Sequence, residues 1–154
     1  MPSPIRPTSS EARQMAARLL HDARHGALGV IDPATGGPMV TRVASIWIDD
    51  ALHLLVSDLS SHTAALTADP RCSMLISDAA QKGDPLAHPR LTIQCRATFV
   101  EKPPLRDPWL AAYPKAKLYI DFADFRMVRM TATAAHLNGG FGKAYRLTPA
   151  DLNQ

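Results

Sequence analysis

Between Thr8 and Gly26 the apolar residues recur at helical spacing. Met15, Leu19 and Leu20 follow Thr8-Ser9-Ser10-Glu11, whose S/T-x-x-E order is that of a capping box. One helix is predicted there. From Ala27 the period shortens: Leu28, Val30 and Ile31 precede the turn-rich Asp32-Pro33-Ala34-Thr35-Gly36-Gly37, and a second apolar stretch covers residues 39–48. The pair reads as a β-hairpin. After Asp49-Asp50, Leu52, Leu54 and Val56 alternate with His53, Leu55 and Ser57 as a third strand.

A polar segment then leads into a short helix over residues 62–68, which Asp69-Pro70 ends. Residues 72–77 resume strand character, residues 78–89 form a loop, and residues 90–101 form a long strand with Leu91, Ile93, Cys95, Ala97 and Phe99 on one face. Residues 105–122 read as one or two helices broken at Pro114. Two more strands, over 125–137 and 141–147, flank Asn138-Gly139-Gly140. Pro2, Pro4 and Pro7 deny the start of the chain regular hydrogen bonding, so residues 1–8 are expected to be a flexible tail and residues 9–154 a single domain. Six or seven strands joined mostly by short turns predict a mainly β, antiparallel barrel-like sheet with peripheral helices.

The chain has 154 residues, enough for one core without disulfides or metal, and its 46% hydrophobic and 20% charged content excludes a disordered chain. No apolar run approaches the roughly 18 residues of a membrane span. The net charge of +3 arises in the last third, where eight Lys and Arg face five Asp and Glu. Those cations are scattered, without the dense basic stripe and interleaved aromatics of a nucleic-acid surface. Neither nucleic acid nor membrane is expected as a partner. Cys72 and Cys95 lie in separate apolar segments with no C-x-x-C, and no signal-peptide stretch opens the sequence, so the cytoplasm is the expected location.

The chain has no G-x-S-x-G elbow, H-E-x-x-H, Walker loop or G-x-G-x-x-G after a strand. His21 and His25 stand four apart on the first helix, yet no third ligand accompanies them, and a helix C-terminus favours histidine on its own account. The two cysteines and Trp47 read as core. Ser57, Ser61, His62 and Thr63 gather hydroxyls, a ring N–H and free backbone N–H groups at the start of the short helix. That suits a phosphate, and it equally suits helix capping. Arg42 sits inside an apolar strand between Thr41 and Val43, where a guanidinium must either reach solvent or meet an anion.

The order Thr41-Arg42-Val43-Ala44, Leu55-Val56-Ser57-Asp58-Leu59-Ser60-Ser61-His62-Thr63, Asp69-Pro70-Arg71-Cys72 and His88-Pro89-Arg90-Leu91-Thr92-Ile93 resembles the pyridoxamine 5′-phosphate oxidase-like split-barrel flavoproteins. Gly83-Asp84-Pro85-Leu86 and Gly139-Gly140-Phe141-Gly142-Lys143-Ala144 further resemble the branch that includes haem-utilisation proteins. The resemblance implies a six-stranded split barrel and a homodimer with FMN at the subunit interface. By position, Arg42 resembles the phosphate-binding arginine, Val43 and Ala44 line the flavin ring through their backbone, and Val56 and Ser57 close over it. Ser61, His62 and Thr63 would meet the phosphate, and Arg90 stands where the oxidases carry a glutamine near the ring. His62-Thr63 replaces the oxidases' Arg-Lys, and their C-terminal substrate motif is not recognisable, which argues against vitamin B6 oxidation. The expectation is an FMN-dependent oxidoreductase acting on a small molecule or electron acceptor, with no catalytic side chain assigned. Haem binding or breakdown on the same scaffold is the alternative, and a flavin-binding module without turnover is the third.

Overall fold

The computed structural model describes residues 3–77 and 82–153. Six strands have seven or more residues: β2 (His25–Ile31), β3 (Pro38–Ala44), β5 (Ala51–Ser57), β6 (Arg71–Ser77), β7 (Arg90–Val100) and β8 (Phe125–Asn138). Three short ones, β1 (Ile5–Arg6), β4 (Ile46–Ile48) and β9 (Ala144–Leu147), extend the sheet. The order is β1-β9-β8-β7-β6-β2-β3, with β5 also paired to β8 and β4 to β5. All pairs are antiparallel except β1 with β9. The result is a mostly β split barrel whose sheet does not close.

Helix α1 (Ser10–Asp22) buries Ala12, Ala16, Leu19 and Leu20 against the barrel interior. Its N-cap is Ser9, whose Oγ accepts from Ala12 N at 3.1 Å; Thr8 instead donates to the Arg146 carbonyl at 2.9 Å. Leu28, Leu54, Met74, Ile93 and Met130 complete the inner core. Each such fully buried side chain contributes roughly 1.5–3 kcal/mol. A second cluster lies outside the sheet, where α3 (Pro103–Ala112) and the 3₁₀ turn Pro114–Leu118 pack Leu105, Trp109 and Ala116 on Met127, Leu55 and Val100. Two smaller helices, α2 (Ser61–Ala68) and α4 (Pro149–Leu152), complete the fold.

Four expectations need correction. Ile5 and Arg6 of the expected tail pair with Ala144 and Tyr145, although Met1 and Pro2 lie outside the described residues. The stretch 39–48 is two strands, because the Tyr113 hydroxyl draws the backbone of Ser45 out of the ladder, accepting from its N–H at 3.3 Å and donating to its carbonyl at 2.6 Å. The last strand starts at Ala144 rather than Phe141, since Gly140 (φ 121°) and Gly142 (φ 69°) occupy backbone regions outside the β basin. His25 opens β2 after α1 has ended at Asp22, so it shares no helix face with His21. The expected loop over 78–89 is described only from Lys82 onward; residues 78–81 lie outside the described residues.

Candidate functional site

Strand β3 has alternating faces. Val43 is buried inward, while Arg42 is exposed on the outer face and has no hydrogen-bond or ion-pair partner among the described residues. On the inner side, Thr41 Oγ1 lies 3.1 Å from His62 Nδ1, which fixes the first turn of α2 one residue away from Arg42. Among the described residues no polar contact joins Arg42 itself to α2. A cavity of about 330 Å³ opens on the outer face, lined by Val40, Thr41 and Arg42 of β3, His25 and Ala27 of β2, and Ser77 of β6. Ala27 and Ser77 are small, and the half-exposed Leu75 of β6 stands beside them. Gly26 beneath is obligatory, since a Cβ there would stand 2.7 Å from Met74 Cε and 2.8 Å from the Leu75 carbonyl.

Around this cavity the expected ligand residues divide. Ser61 is exposed in the first turn of α2, and the N-cap Ser60 places no side-chain oxygen on that turn. The His62 ring is half-buried, and burial holds its pKa below the usual histidine value, so it brings no fixed charge at neutral pH. Thr63 is buried, and its hydroxyl donates to the Ser57 carbonyl at 2.5 Å, which commits it to holding the turn. Ser57 Oγ accepts from Leu59 N at 3.1 Å. Val43 and Val56 turn their side chains into the core, leaving only backbone to face a ligand, and Ala44 packs beside the outer cluster. Arg90 donates to the carbonyls of Leu86 at 3.1 Å and His88 at 3.2 Å, so its guanidinium fastens the loop before β7.

A second cavity of about 510 Å³ lies farther along the same outer face, with Arg71, Arg96, Ser73, Gln94 and Gly29 among its walls. Sequence reasoning missed it, because Arg71 and Arg96 become cross-strand partners only through the register of β6 on β7. Cys72 and Cys95 are partners in the same register and point inward. Burial pushes the Cys72 thiol up to about 11 and Cys95 higher still, so both are inert core residues. Among the described residues no group of three His, Cys, Asp or Glu could hold a metal ion, and no helix is long and apolar enough to cross a membrane.

The model of the pyridoxamine 5′-phosphate oxidase family matches residues 12–139, which takes in most of α1 and every strand from β2 to β8. The chain belongs to the pyridoxamine 5′-phosphate oxidase family. The proteins it is similar to are named for different ligands. It is 33% identical over 95 residues to a chloroplastic non-canonical haem oxygenase of Arabidopsis thaliana, an alignment covering 60% of this chain and 28% of that protein. A haem-binding protein from Mycobacterium smegmatis is 28% identical, superposes with a TM-score of 0.84, and is matched over 96% of this chain and 61% of its own. The fold is shared too by a FAD-binding protein from Mesorhizobium loti, at 15% identity and a TM-score of 0.65 over 83% of this chain and 92% of that one. The chain thus spans less than two thirds of either haem-associated relative.

Proposed function

We propose that this member of the pyridoxamine 5′-phosphate oxidase family is an FMN-binding protein, and that it acts as a flavin-dependent oxidoreductase on a small molecule. The observation that carries the reading is the Arg42 guanidinium, without a partner among the described residues, at the mouth of a shallow cavity. Bound FMN would supply the redox chemistry, passing electrons between donor and acceptor. The chain's own residues bind, orient and shield it. Arg42 is the fixed cation for the phosphate, Ser61 and the first N–H groups of α2 are neutral donors, and the backbone at Val43 and Ala44 is an edge for the ring. With His62 uncharged and the Thr63 hydroxyl committed, the phosphate depends chiefly on one guanidinium. A homodimer closing over the outer face would exclude water from the ring.

Titration of FMN and riboflavin against wild type and Arg42→Ala tests this. A charge-assisted contact contributes about 1.5–3 kcal/mol, so the substitution should weaken FMN roughly tenfold to a hundredfold. Riboflavin, which has no phosphate, should bind both proteins equally. Equal losses for both flavins would remove Arg42 from the phosphate and leave it a role at the ring or in the fold.

A second reading, haem binding, is supported by the mycobacterial and chloroplast relatives and by one feature of the cavity. His25 stands exposed on the same wall as Arg42, an imidazole for iron beside a guanidinium for a propionate. Haemin titration separates the two readings. A Soret band that sharpens with wild type and fails with His25→Ala, together with no FMN binding, would select haem.

A further inference from the structure

The helical segment outside the sheet meets the barrel through two kinds of contact. Most of the contact is apolar and carries no direction, with Leu105, Trp109 and Ala116 lying on Leu55, Val100 and Met127. The polar contacts are few and lie in one place. Among the described residues, those that run from residues 103–118 to the barrel are all made by Ala112 and Tyr113, at the C-terminal end of α3. The Tyr113 hydroxyl accepts from the Ser45 N–H at 3.3 Å and shares its one proton between the carbonyls of Ser45, at 2.6 Å, and Arg24. The Arg24 guanidinium in turn lies over the Tyr113 ring, 4.7 Å from its centroid, and donates to the Ala112 carbonyl.

This clasp closes on the end of β3. Ala44 is the last residue of that strand and pairs with His25, so the phenol takes hold of the chain at the next pair outward, Ser45 and Arg24, where the ladder stops. Ser45 is fully buried, yet its Oγ has no partner, so its polar anchorage is through the backbone alone. The Ala44 side chain packs against the same outer cluster as Trp109. On the reading of the Val43 and Ala44 backbone as the edge for the flavin ring, we infer that Tyr113 is a positioning residue for that ring. Its hydroxyl fixes the last peptide of β3, and through it the docking of α3 and the binding of the ring become one linked equilibrium. An edge fixed before the ligand arrives spares the ligand the cost of ordering it. An edge released by an undocked α3 does not. The linkage is reciprocal, so a ring seated on the edge also holds α3 down. Arg42, exposed and without a polar partner among the described residues, stands outside the clasp.

Titration of FMN and riboflavin against wild type, Tyr113→Phe and Ser45→Ala, joined to amide hydrogen exchange of the full chain, tests the linkage. Phenylalanine keeps the ring that stacks on Trp109 at 4.9 Å and lies under Arg24, and removes only the hydroxyl. Losing a neutral hydrogen bond that fixes the edge should weaken both flavins by the same factor, roughly fivefold. That is the opposite signature from Arg42→Ala, which spares riboflavin. Ser45→Ala should bind both flavins as wild type does. Saturating riboflavin should slow exchange of the α3 amides in wild type by about the factor that Tyr113→Phe costs in binding, and should leave it unchanged in Tyr113→Phe. Equal protection of β6 and β7 in the two free proteins certifies that the variant is folded. Wild-type affinity of Tyr113→Phe for both flavins, a loss confined to FMN, or α3 exchange that ignores riboflavin would overturn the inference and leave the flavin reading in place. Loss of β6 and β7 protection in Tyr113→Phe would make the hydroxyl a support of the whole fold and overturn it too. Binding of neither flavin to wild type would sink the flavin reading and the linkage with it.

Discussion

The outer surface of this sheet is covered in one place and bare in another, and the same strand alternation produces both. Over β5, the first half of β8 and the end of β7, Leu55, Met127 and Val100 face outward and meet Leu105, Trp109 and Ala116 from the α3 segment. Over β2, β3, β6 and β7, the outward positions are Ala27, Gly29, Ser73, Thr92 and Gln94, with Arg42 and Arg96 among them. Where the chain carries its own roof, the outward residues are large and apolar. Where it does not, most are small, polar or cationic and the apolar Val40 and Leu75 stand exposed among them, as suits a surface that water, a ligand or another chain must cover. The composition of an outward face thus records who covers it.

The largest test of that comparison is Trp109→Ala. Trp109 is 2% exposed and stacks on Tyr113 at 4.9 Å between ring centroids, so its truncation opens a cavity between roof and sheet. A loss of about 3–5 kcal/mol is expected from denaturant unfolding. A loss no larger than that of a surface substitution, within about 0.5 kcal/mol, would mean the roof is an ornament rather than a second core.

Much of the inner barrel was legible because its signal is local. In β7 the alternation of Leu91, Ile93 and Cys95 with Thr92, Gln94 and Arg96 states which face is core, and the structure buries the first three. The roof was half legible. Residues 105–122 read as helical, but the alternation of Leu52, Leu54 and Val56 with His53, Leu55 and Ser57 suggests one covered face, and nothing near β5 says that a helix some fifty residues later buries His53 and half-buries Leu55. Arg42 was conspicuous as a charge within an apolar strand. Its place in a cross-strand row that ends at Arg146 was not, because the row exists only once register brings six distant segments together. The expected placement of His25 on the first helix with His21 failed for a related reason: helical spacing was continued past a helix that Ala23 had already ended.

Of middling size is the effect of His53, the titratable side chain beneath the roof. It is 3% exposed and its Nδ1 has no hydrogen-bond partner. Burial first, and then the Arg129 charge, hold its pKa below the usual 6.5, against smaller opposing contributions from Ala51 and Asp49. Below about pH 6.5 the unfolded chain therefore binds a proton that folded His53 resists, and stability falls with pH until the folded ring also titrates. His62 acts in the same direction. The slope per histidine is at most about 1.4 kcal/mol per pH unit. His53→Leu should flatten it in part and leave stability at pH 8 no lower than wild type, since it removes a buried unpaired nitrogen. An undiminished acid slope in denaturation series from pH 8 to 5 would show that His53 is not what protonation strains.

The smallest expected change in stability belongs to the bare face, at Gly29. An added Cβ there would meet the Ser73 carbonyl at 3.8 Å and Ser73 Cβ at 3.9 Å, ordinary contacts, and Gly29 has no positive φ that an alanine would strain. Gly29→Ala should therefore leave stability within about 0.5 kcal/mol or raise it slightly, because alanine restricts the unfolded chain more than glycine does. Yet the methyl would stand up from the wall of the larger cavity. If the face is covered by a flat ligand or by a second chain, FMN affinity or dimer affinity should drop while the unfolding midpoint holds. A roofed position could not separate these readouts, since any change there passes through the core. Loss of stability without loss of binding at Gly29 would reverse the comparison, and would mean that the bare face serves the barrel after all.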